Sequence, residues 1–569
     1  MTGHGSHTAE PVQHRSPPPP ATPGARPLGW LAAGGLAGSV VTAAVVFTLV
    51  AALRPEQPPA ALDAPRMVEE SGVAGVNHTY DGDFEYFVGG GVAVFDCNAD
   101  GLPDLFFAGG ENQAALFTNA GSVGGPLSFQ HLPHPATDLT GVTGAYPIDI
   151  DSDGITDLAV LRVGENVALR GVGGCVFEPA NDGLGLDGGE AWTAAFAATW
   201  EGDAALPTML FGNYLKSSED RTCADHALIR PGATGGYQPP RALEPGLCTL
   251  SALFSDWGRT GTVDLRLTND RHYHGDGGDQ LWRMGPDPVA YGPDDGWDPI
   301  RIWGMGIASQ DLTGDGRPEV YLTSQGDNKL QTLTDQGAGP AYRDMALERG
   351  VTAHSPFAGD DVMPSTAWHA EFGDVNNDTF FDLFVSKGNV EAMPEFATDD
   401  PSNLLLGQTD GTFVEGAEQA GIVDFNRGRG AALADLNLDG MLDLIQVNRR
   451  SNVELWRNVG WGDANTPAPM GHWLAVRPSQ PAPNPNAVGG WIEVRAGDRV
   501  TSRELTIGGG HAGGTLGWIH FGLGDATAAE VRIQWPDGET GPWIDVSADT
   551  HVVIERDATT PAVWMPGSE

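Results

Sequence analysis

Basic residues are scarce in this chain, where 31 lysines and arginines face 75 aspartates and glutamates over 569 residues. The formal net charge of −44 excludes a nucleic-acid-binding surface, which needs a basic footprint. Signatures of common catalytic sites are also missing, since no GxSxG, HExxH, CxxC or phosphate-binding P-loop pattern occurs. The acidic excess fits a soluble protein, a salt-rich habitat, or bound cations that offset part of the charge.

Long apolar runs are limited to one, from Leu28 to Leu53, which is uncharged and long enough to cross a bilayer of about 30 Å. We predict a transmembrane signal anchor at residues 28–53, because Arg15 and Arg26 precede it and favour a cytoplasmic N-terminus. The bulk of the chain would then be extracytoplasmic, in the periplasm or at the cell surface. A cleaved signal peptide is the alternative and would make the protein secreted. Residues 1–27 are predicted to be a disordered tail and residues 54–65 a Pro/Ala-rich linker.

Cysteine is also rare, with four residues at Cys97, Cys175, Cys223 and Cys248. An exported chain allows disulfides, and four cysteines permit three connectivities. Cys223 and Cys248 bracket one short segment and are therefore the preferred pair. The alternative is that all four are small core residues.

Repeats dominate the rest of the chain. Acidic loops begin at Asp96, Asp149, Asp256, Asp311, Asp374 and Asp435. The spacing between Asp149 and Asp256 is twice the usual repeat length, and a degenerate copy of the loop at residues 197–203 (the worn copy) lies between them. Each copy is followed by short apolar strands separated by glycine turns, a pattern typical of a β-propeller. We predict an all-β chain with a seven-bladed β-propeller over residues 66–462. Residues 66–73 resemble the segment that follows the third strand of other repeats, so we expect them to complete the last blade and close the ring.

Five of the loops place oxygen-bearing side chains at positions 1, 3, 5 and 9 around a tight bend, which is how a hard cation such as Ca²⁺ is wrapped. The all-oxygen set favours Ca²⁺ over Mg²⁺, and the lack of Cys or His disfavours zinc. About five calcium sites are therefore predicted. Their ligands are Asp96, Asn98, Asp100 and Asp104; Asp149, Asp151, Asp153 and Asp157; Asp311, Thr313, Asp315 and Glu319; Asp374, Asn376, Asp378 and Asp382; and Asp435, Asn437, Asp439 and Asp443.

The loops are not equal. Loop two, at Asp149, carries four acids and is predicted to bind best. Loop six has Thr379 where the others have glycine, so a strained turn is expected. Loop four retains only Asp256, Gly261 and Asp264 and is predicted to be empty or weak. Loop three has Pro207 in place of its last acid and is predicted to bind no metal.

These loops, each between two strands, resemble the FG-GAP/VCBS repeats of integrin α-subunit propellers. Further on, residues 471–477, 489–494, 519–524 and 531–538 resemble the ASPIC/UnbV domain. The chain as a whole is therefore similar to the cartilage acidic protein family, which implies calcium-dependent extracellular interaction. One departure is at residues 508–514, Gly-Gly-Gly-His-Ala-Gly-Gly, where the family usually carries Gly-Ser-Gly-Tyr. Without the family, the alternating strands of residues 470–557 still predict a small all-β domain, with residues 558–569 as a tail.

The predicted function is a membrane-anchored, calcium-binding interaction or adhesion module with a protein or glycan partner, and not an enzyme. The alternative is an extracytoplasmic enzyme that uses the central channel of the propeller. His272, His274 and Asp276 could also form part of a transition-metal site. A third possibility is a structural domain on a stalk without a specific ligand.

Overall fold

A computed structural model of the chain describes residues 60–233, 235–270, 278–334, 339–353, 365–390 and 400–566. The predicted tail at 1–27, the predicted anchor at 28–53, the first part of the linker and the motif at His272, His274 and Asp276 lie outside these ranges. Within them, no helix is both long and apolar enough to cross a bilayer.

Seven sheets of four antiparallel strands follow one another along the chain as the blades of a propeller. Their strands are largely apolar on both faces because each blade is covered by its two neighbours. Blade 1 comprises β2 (Val92–Phe95), β3 (Asp104–Phe107), β4 (Ala115–Asn119) and β5 (Phe129–His131). Blade 2 comprises β6 (Val142–Ile148), β7 (Asp157–Arg162), β8 (Val167–Gly171) and β9 (Phe177–Pro179). Blade 3 comprises β10 (Trp192–Thr199), β11 (Thr208–Leu215), β12 (His226–Ile229) and β13 (Arg241–Leu243).

The remaining blades repeat this plan. Blade 4 comprises β14 (Thr249–Ser255), β15 (Asp264–Asn269), β16 (Gln280–Arg283) and β17 (Val289–Ala290). Blade 5 comprises β18 (Gly304–Gln310), β19 (Glu319–Ser324), β20 (Lys329–Leu333) and β21 (Tyr342–Asp344). Blade 6 comprises β22 (Ala367–Gly373), β23 (Asp382–Lys387), β24 (Asn403–Gly407) and β25 (Phe413–Glu415). Blade 7 comprises β26 (Arg427–Ala434), β27 (Asp443–Arg449), β28 (Glu454–Asn458) and the N-terminal β1 (Met67–Glu69).

Short helices follow the outer strands of four blades, as the repeat pattern implies. They are α1 (Ser71–Ala74), α2 (Asn181–Leu184), α3 (Ala346–Arg349) and α4 (Ala417–Ala420), and two 3₁₀ turns lie at Phe84–Tyr86 and Pro293–Asp295. Each α-helix ends at a glycine in the left-handed conformation, a common C-terminal cap. The equivalence of α1 and α3 bears out the match between residues 66–73 and the later repeats.

The ring closes through the N-terminal segment. The innermost strands β2, β6, β10, β14, β18, β22 and β26 contact one another in sequence, and β26 contacts β2. Strand β1 pairs antiparallel with β28, with Met67 opposite Asn458. Beside this pair, the buried carboxylate of Glu70 accepts a hydrogen bond from Arg457 Nε at 2.9 Å. The predicted completion of the last blade by residues 66–73 is therefore confirmed.

A second domain follows the ring and consists of two four-stranded sheets packed face to face. One sheet has the order β33 (Ile519–Gly524), β29 (His472–Ser479), β36 (Thr550–Glu555) and β37 (Ala562–Trp564). The other has the order β31 (Arg499–Glu504), β30 (Trp491–Ala496), β34 (Ala528–Gln534) and β35 (Ile544–Ser547). Leu474, Ile492, Phe521 and Val531 lie in the core between them. The predicted tail is corrected here, because β37 pairs with β36 and extends the domain past residue 557.

Two disulfides form, one of them the preferred Cys223–Cys248 pair. The other joins Cys97 in the first acidic loop to Cys175 in blade 2. The alternative of four unpaired core cysteines is therefore wrong. Because Cys97 belongs to blade 1 and Cys175 to blade 2, this bond covalently links two neighbouring blades across a sequence separation of 78.

Candidate metal centre

Each of the five predicted loops connects the innermost strand of its blade to the second strand, so all five lie on one face of the ring, the loop face. The last ligand of every loop is the first residue of the second strand, namely Asp104, Asp157, Glu319, Asp382 or Asp443. The repeat therefore fixes where each carboxylate lies, and all four predicted ligands of each loop lie in described residues.

The first carboxylate of each loop bends the chain around itself. It accepts a hydrogen bond from the backbone N–H at position 6, over 2.7–3.0 Å in every loop. The last carboxylate accepts one from the backbone N–H at position 2, over 2.8–2.9 Å. One pair of hydrogen bonds is thus built five times and holds the first and last carboxylates of each loop in equivalent places.

Loop two fits a cation best. Carboxylate oxygens of Asp149, Asp151 and Asp153 lie within 4.8 Å of one another, close enough to ligate one ion. Asp151 Oδ1 is buried without a hydrogen-bond partner among the described residues. The nearest cationic group is the half-exposed Arg170, whose Nη1 lies 4.0 Å from Asp151 Oδ2. An unpartnered oxygen beside two more carboxylates is the donor set that Ca²⁺ prefers.

Burial makes the charged form of these acids costly. It raises the pKa of Asp149 to about 6 and that of Asp157 to about 7, with neighbouring carboxylates adding to the effect. Burial followed by repulsion from adjacent carboxylates also raises the pKa values of Asp382 and Asp443 well above the usual range. A divalent cation at the centre of each loop would offset both causes.

Loop seven carries a second orphaned ligand, since Asn437 is 2% exposed and its Oδ1 has no hydrogen-bond partner among the described residues. Its amide nitrogen donates to Gly125 O at 2.8 Å, which leaves the oxygen for the loop centre. Loop six shows the expected strain, because Thr379 adopts φ +78° where the other loops have glycine. A left-handed β-branched residue costs about 1–3 kcal/mol.

Loop five is less open to a cation than its sequence suggests. Arg317 forms an ion pair with Asp315 at 2.9 Å, and Ser502 Oγ donates to Asp311 Oδ2 at 2.8 Å. In loop four, protein groups already satisfy Asp264, whose Oδ2 accepts hydrogen bonds from Trp257 Nε1 and Tyr291 OH. That loop four is empty or weak, and that loop three binds no metal, stays a prediction.

The loops also join neighbouring blades through a residue that the sequence patterns did not single out. Asn458 of blade 7 donates from Nδ2 to Leu442 O of its own blade at 3.1 Å and to Val375 O of loop six at 2.8 Å. Asn119 of blade 1 makes the same bond to Leu436 O of loop seven at 2.8 Å. The signal was present in the repeated Asn-x-Gly that ends these strands.

The C-terminal domain covers the loop face, which the sequence did not predict. A Cβ on Gly440 would lie 2.0 Å from the Trp473 ring, and a Cβ on Gly101 would lie 2.1 Å from the Trp564 ring. The partly buried Glu504 accepts hydrogen bonds from Ser255 Oγ and the Asp256 amide of loop four. Glycine at the bend of loops one and seven therefore serves the docking of this domain as well as the turn itself.

The glycine-rich stretch of the C-terminal domain enters the central channel. In this segment, called the plug (residues 507–516), Gly509 N donates to Ala252 O at 2.7 Å and Gly510 N to Ile307 O at 2.6 Å. The two-residue strand β32 (Gly514–Thr515) pairs with innermost strand β2. Only glycine allows this approach, since a Cβ on Gly513 would lie 2.2 Å from Val92 O.

His511 lies near the middle of the plug segment and is fully buried. Its backbone N–H donates to His369 Nδ1 at 3.0 Å, and its Nε2 accepts from Gly89 N at 3.1 Å. Burial, and after it the charge of Arg429, lower the pKa of His511 to about 3, so the ring is neutral and can accept that bond. The protein's own chain therefore enters the channel that an enzyme of the alternative type would use, and a cavity of about 230 Å³ remains beside the plug.

Comparison with known proteins finds similarity to both regions. A family model described as FG-GAP-like repeat matches residues 96–160, and one described as ASPIC and UnbV matches residues 480–561. Cartilage acidic protein 1 of Mus musculus is 32% identical over 156 residues, covering 26% of this chain and 21% of that protein. The Homo sapiens protein is 30% identical over the same shares. The chain thus matches about a fifth of the length of these relatives.

Among solved structures, BBS1N in complex with ARL6DN, soaked with lead, is 8% identical with a TM-score of 0.40, covering 71% of this chain and 100% of that chain. The strand pairing described above, rather than this likeness, defines the fold. The predicted resemblance to the cartilage acidic protein-like family is confirmed by the two family models and the curated relatives.

Proposed function

The chain resembles the cartilage acidic protein-like family in its repeats and its C-terminal domain, and on that premise we propose that it is an extracytoplasmic calcium-binding interaction module. The observation that carries this proposal is one acidic loop, with the same hydrogen-bonded first carboxylate, built into five blades. In loop two it brings three carboxylates within 4.8 Å. Calcium at these junctions would hold neighbouring blades together.

The partner is proposed to be a protein or a glycan bound outside the cytoplasm. The plug occupies part of the channel and the C-terminal domain covers the loop face, so binding is left to the cavity between the domains, the outer surface of the C-terminal domain and the opposite face of the ring. The anchor at residues 28–53 would hold the module at the membrane, with secretion as the outcome if that segment is cleaved. The plug narrows the channel that the enzyme alternative requires, and the protein is proposed not to be an enzyme.

Calcium dependence is tested by thermal unfolding of a fragment that starts at residue 60, with calcium and with a chelator. A ligand that binds only the folded state stabilises it by about 2.7 kcal/mol per site at one hundred times its Kd. We therefore expect a large rise in Tm with calcium and about five ions bound per chain by equilibrium dialysis. Identical melts in both conditions would refute the proposal.

A matched pair of variants assigns the effect to the loops. Asp151→Asn removes one carboxylate from loop two and is expected to lower the calcium-dependent part of the stability. Asp203→Asn makes the same change in worn loop three and is expected to leave it unchanged. Binding of the fragment to arrays of proteins and glycans, with and without calcium, then identifies the class of partner.

A further inference from the structure

One side of the C-terminal domain carries a cluster of aromatic and basic residues toward the propeller. Strand β29 alternates between the domain core, at Leu474 and Val476, and this outer side, which includes Arg477. The neighbouring strands add Trp518 and His551, whose rings lie 4.9 Å apart. Arg477, Trp518 and His551 lie at one part of a cavity of about 230 Å³ between the two domains, which the plug and the innermost strands also line. These three residues are called the arginine–tryptophan pocket.

The Arg477 guanidinium is a partly buried cation that stacks on an aromatic ring instead of forming a close ion pair. Its Cζ lies 4.7 Å from the Trp518 ring centroid, and among the described residues it makes no ion pair or hydrogen bond. By contrast, Arg495 of the same domain pairs with Glu530 at 2.8 Å, and Arg532 pairs with Glu493. A guanidinium has five N–H donors, and leaving them unused in a partly desolvated site is costly.

His551 provides an independent sign of a missing ligand. The ring is 5% exposed, it lines the same cavity, and its Nε2 has no hydrogen-bond partner among the described residues. Trp473, Trp518 and Trp564 surround it at 4.9–5.6 Å. Buried polar atoms are nearly always paired with protein or with a bound molecule.

We propose that the arginine–tryptophan pocket binds an acidic sugar residue through its carboxylate or sulfate group. The guanidinium would pair with the acidic group through two parallel hydrogen bonds, which matches its planar geometry. The indole rings would cover the apolar side of the sugar ring, and His551 Nε2 would bond a hydroxyl.

Calcium bound in loop one would affect the charge near the arginine–tryptophan pocket. Asp96, the first ligand of that loop, lines the same cavity and is the acid whose charge reaches Arg477. Calcium in loop one would offset that negative charge and leave the guanidinium for the acidic ligand. The inference rests on the proposed function, since it names the class of glycan that the module would bind.

The test uses ligand-observed NMR titration of the fragment from residue 60 in calcium, with a glucuronic-acid disaccharide as the probe. Its neutral glucose counterpart should bind at least tenfold more weakly. Arg477→Gln should weaken uronate binding by about tenfold or more, the loss expected for a hydrogen bond to a charged group. Arg495→Gln, a change to a paired arginine in the same domain, should have no effect.

Three outcomes would overturn the inference: unchanged binding by Arg477→Gln, equal binding of the neutral sugar, or equal competition by free acetate or sulfate. If Arg477→Gln fails to fold, Arg477→Lys and the acetate competition on the unaltered protein still decide the question. The calcium-dependent Tm is measured on the same samples. A retained Tm shift without uronate binding would refute this inference alone and leave the proposed calcium function standing.

Discussion

Substituting Gly144 by alanine tests whether the plug enters the channel. Gly144 lies in innermost strand β6, and a Cβ there would lie 2.2 Å from the carbonyl oxygen of Ala512 in the plug. Ordinary contacts of a Cβ begin near 3.4 Å, so the carbonyl must retreat by about 1 Å. That carbonyl also accepts a hydrogen bond from Ala145 N at 3.1 Å, which the retreat would break.

The magnitude follows from these two effects. Overpacking of a well-packed interior costs about 1–3 kcal/mol, and a lost hydrogen bond costs about 1 kcal/mol. We therefore expect Gly144→Ala to lower the free energy of unfolding by about 2–4 kcal/mol. The control is Gly292→Ala, because Gly292 has φ −136° and no atom within 4 Å of its added Cβ. It should change stability by less than about 0.5 kcal/mol.

The assay is urea unfolding of both variants in calcium, followed by tryptophan fluorescence, together with hydrogen exchange at the Ala145 amide. Gly144→Ala should unfold at lower urea and expose that amide to faster exchange. Gly91→Ala, whose Cβ would lie 1.8 Å from the same carbonyl, should be non-additive with it because both displace one atom. Equal stability of Gly144→Ala and Gly292→Ala, with an equally protected Ala145 amide, would refute the entry of the plug into the channel.

Two further predictions concern the closure of the ring and the junctions between blades. Deleting residues 66–80 removes β1 and leaves the buried Arg457 without its ion-pair partner Glu70. The unpaired charge alone should lower the free energy of unfolding by about 3–5 kcal/mol, so cooperative melting should be lost. An unchanged melt would contradict the closure of the ring by this segment. Asn458→Ala leaves the carbonyls of Val375 and Leu442 without their donor and should lower the free energy of unfolding, measured by chemical denaturation, by about 2–4 kcal/mol. Asn465→Ala, at an exposed position nearby in sequence, should leave the free energy of unfolding unchanged. Equal effects of the two substitutions would rule out the role of Asn458 between blades.

The features that repeat along the chain are those the sequence could predict. The spacing of the acidic loops places each first carboxylate at the end of an innermost strand, and the resemblance of residues 66–73 to the segment at Met345 locates the closing strand. The strain at Thr379 also follows from sequence, because a single missing glycine interrupts an otherwise regular pattern. Each of these inferences needs only local chemistry and a period.

The contacts between the domains could not be predicted in this way. Trp473 contacts Gly440, and the plug contacts Gly144, although these residues are far apart in sequence. Such contacts produce no periodic pattern in the sequence. From the sequence, such a glycine is explained equally well by a turn. Its role as a contact point for the C-terminal domain is therefore not visible. The three-residue strand β37 was missed for a different reason, since it is too short to show alternation.

The charges facing the loops from the C-terminal domain explain why loop two should depend on calcium more than loops one, five and six do. Arg499 acts electrostatically on Asp374, Asp378 and Asp311, and so lies over loops five and six. Arg477 faces Asp96 in loop one in the same way. These arginines supply countercharge without a metal. For the clustered carboxylates of loop two, the nearest paired cation is the half-exposed Arg170 at 4.0 Å, which water and salt screen. A bound cation is therefore the main way to relieve the repulsion there, and chelation should loosen loop two before loops one, five and six.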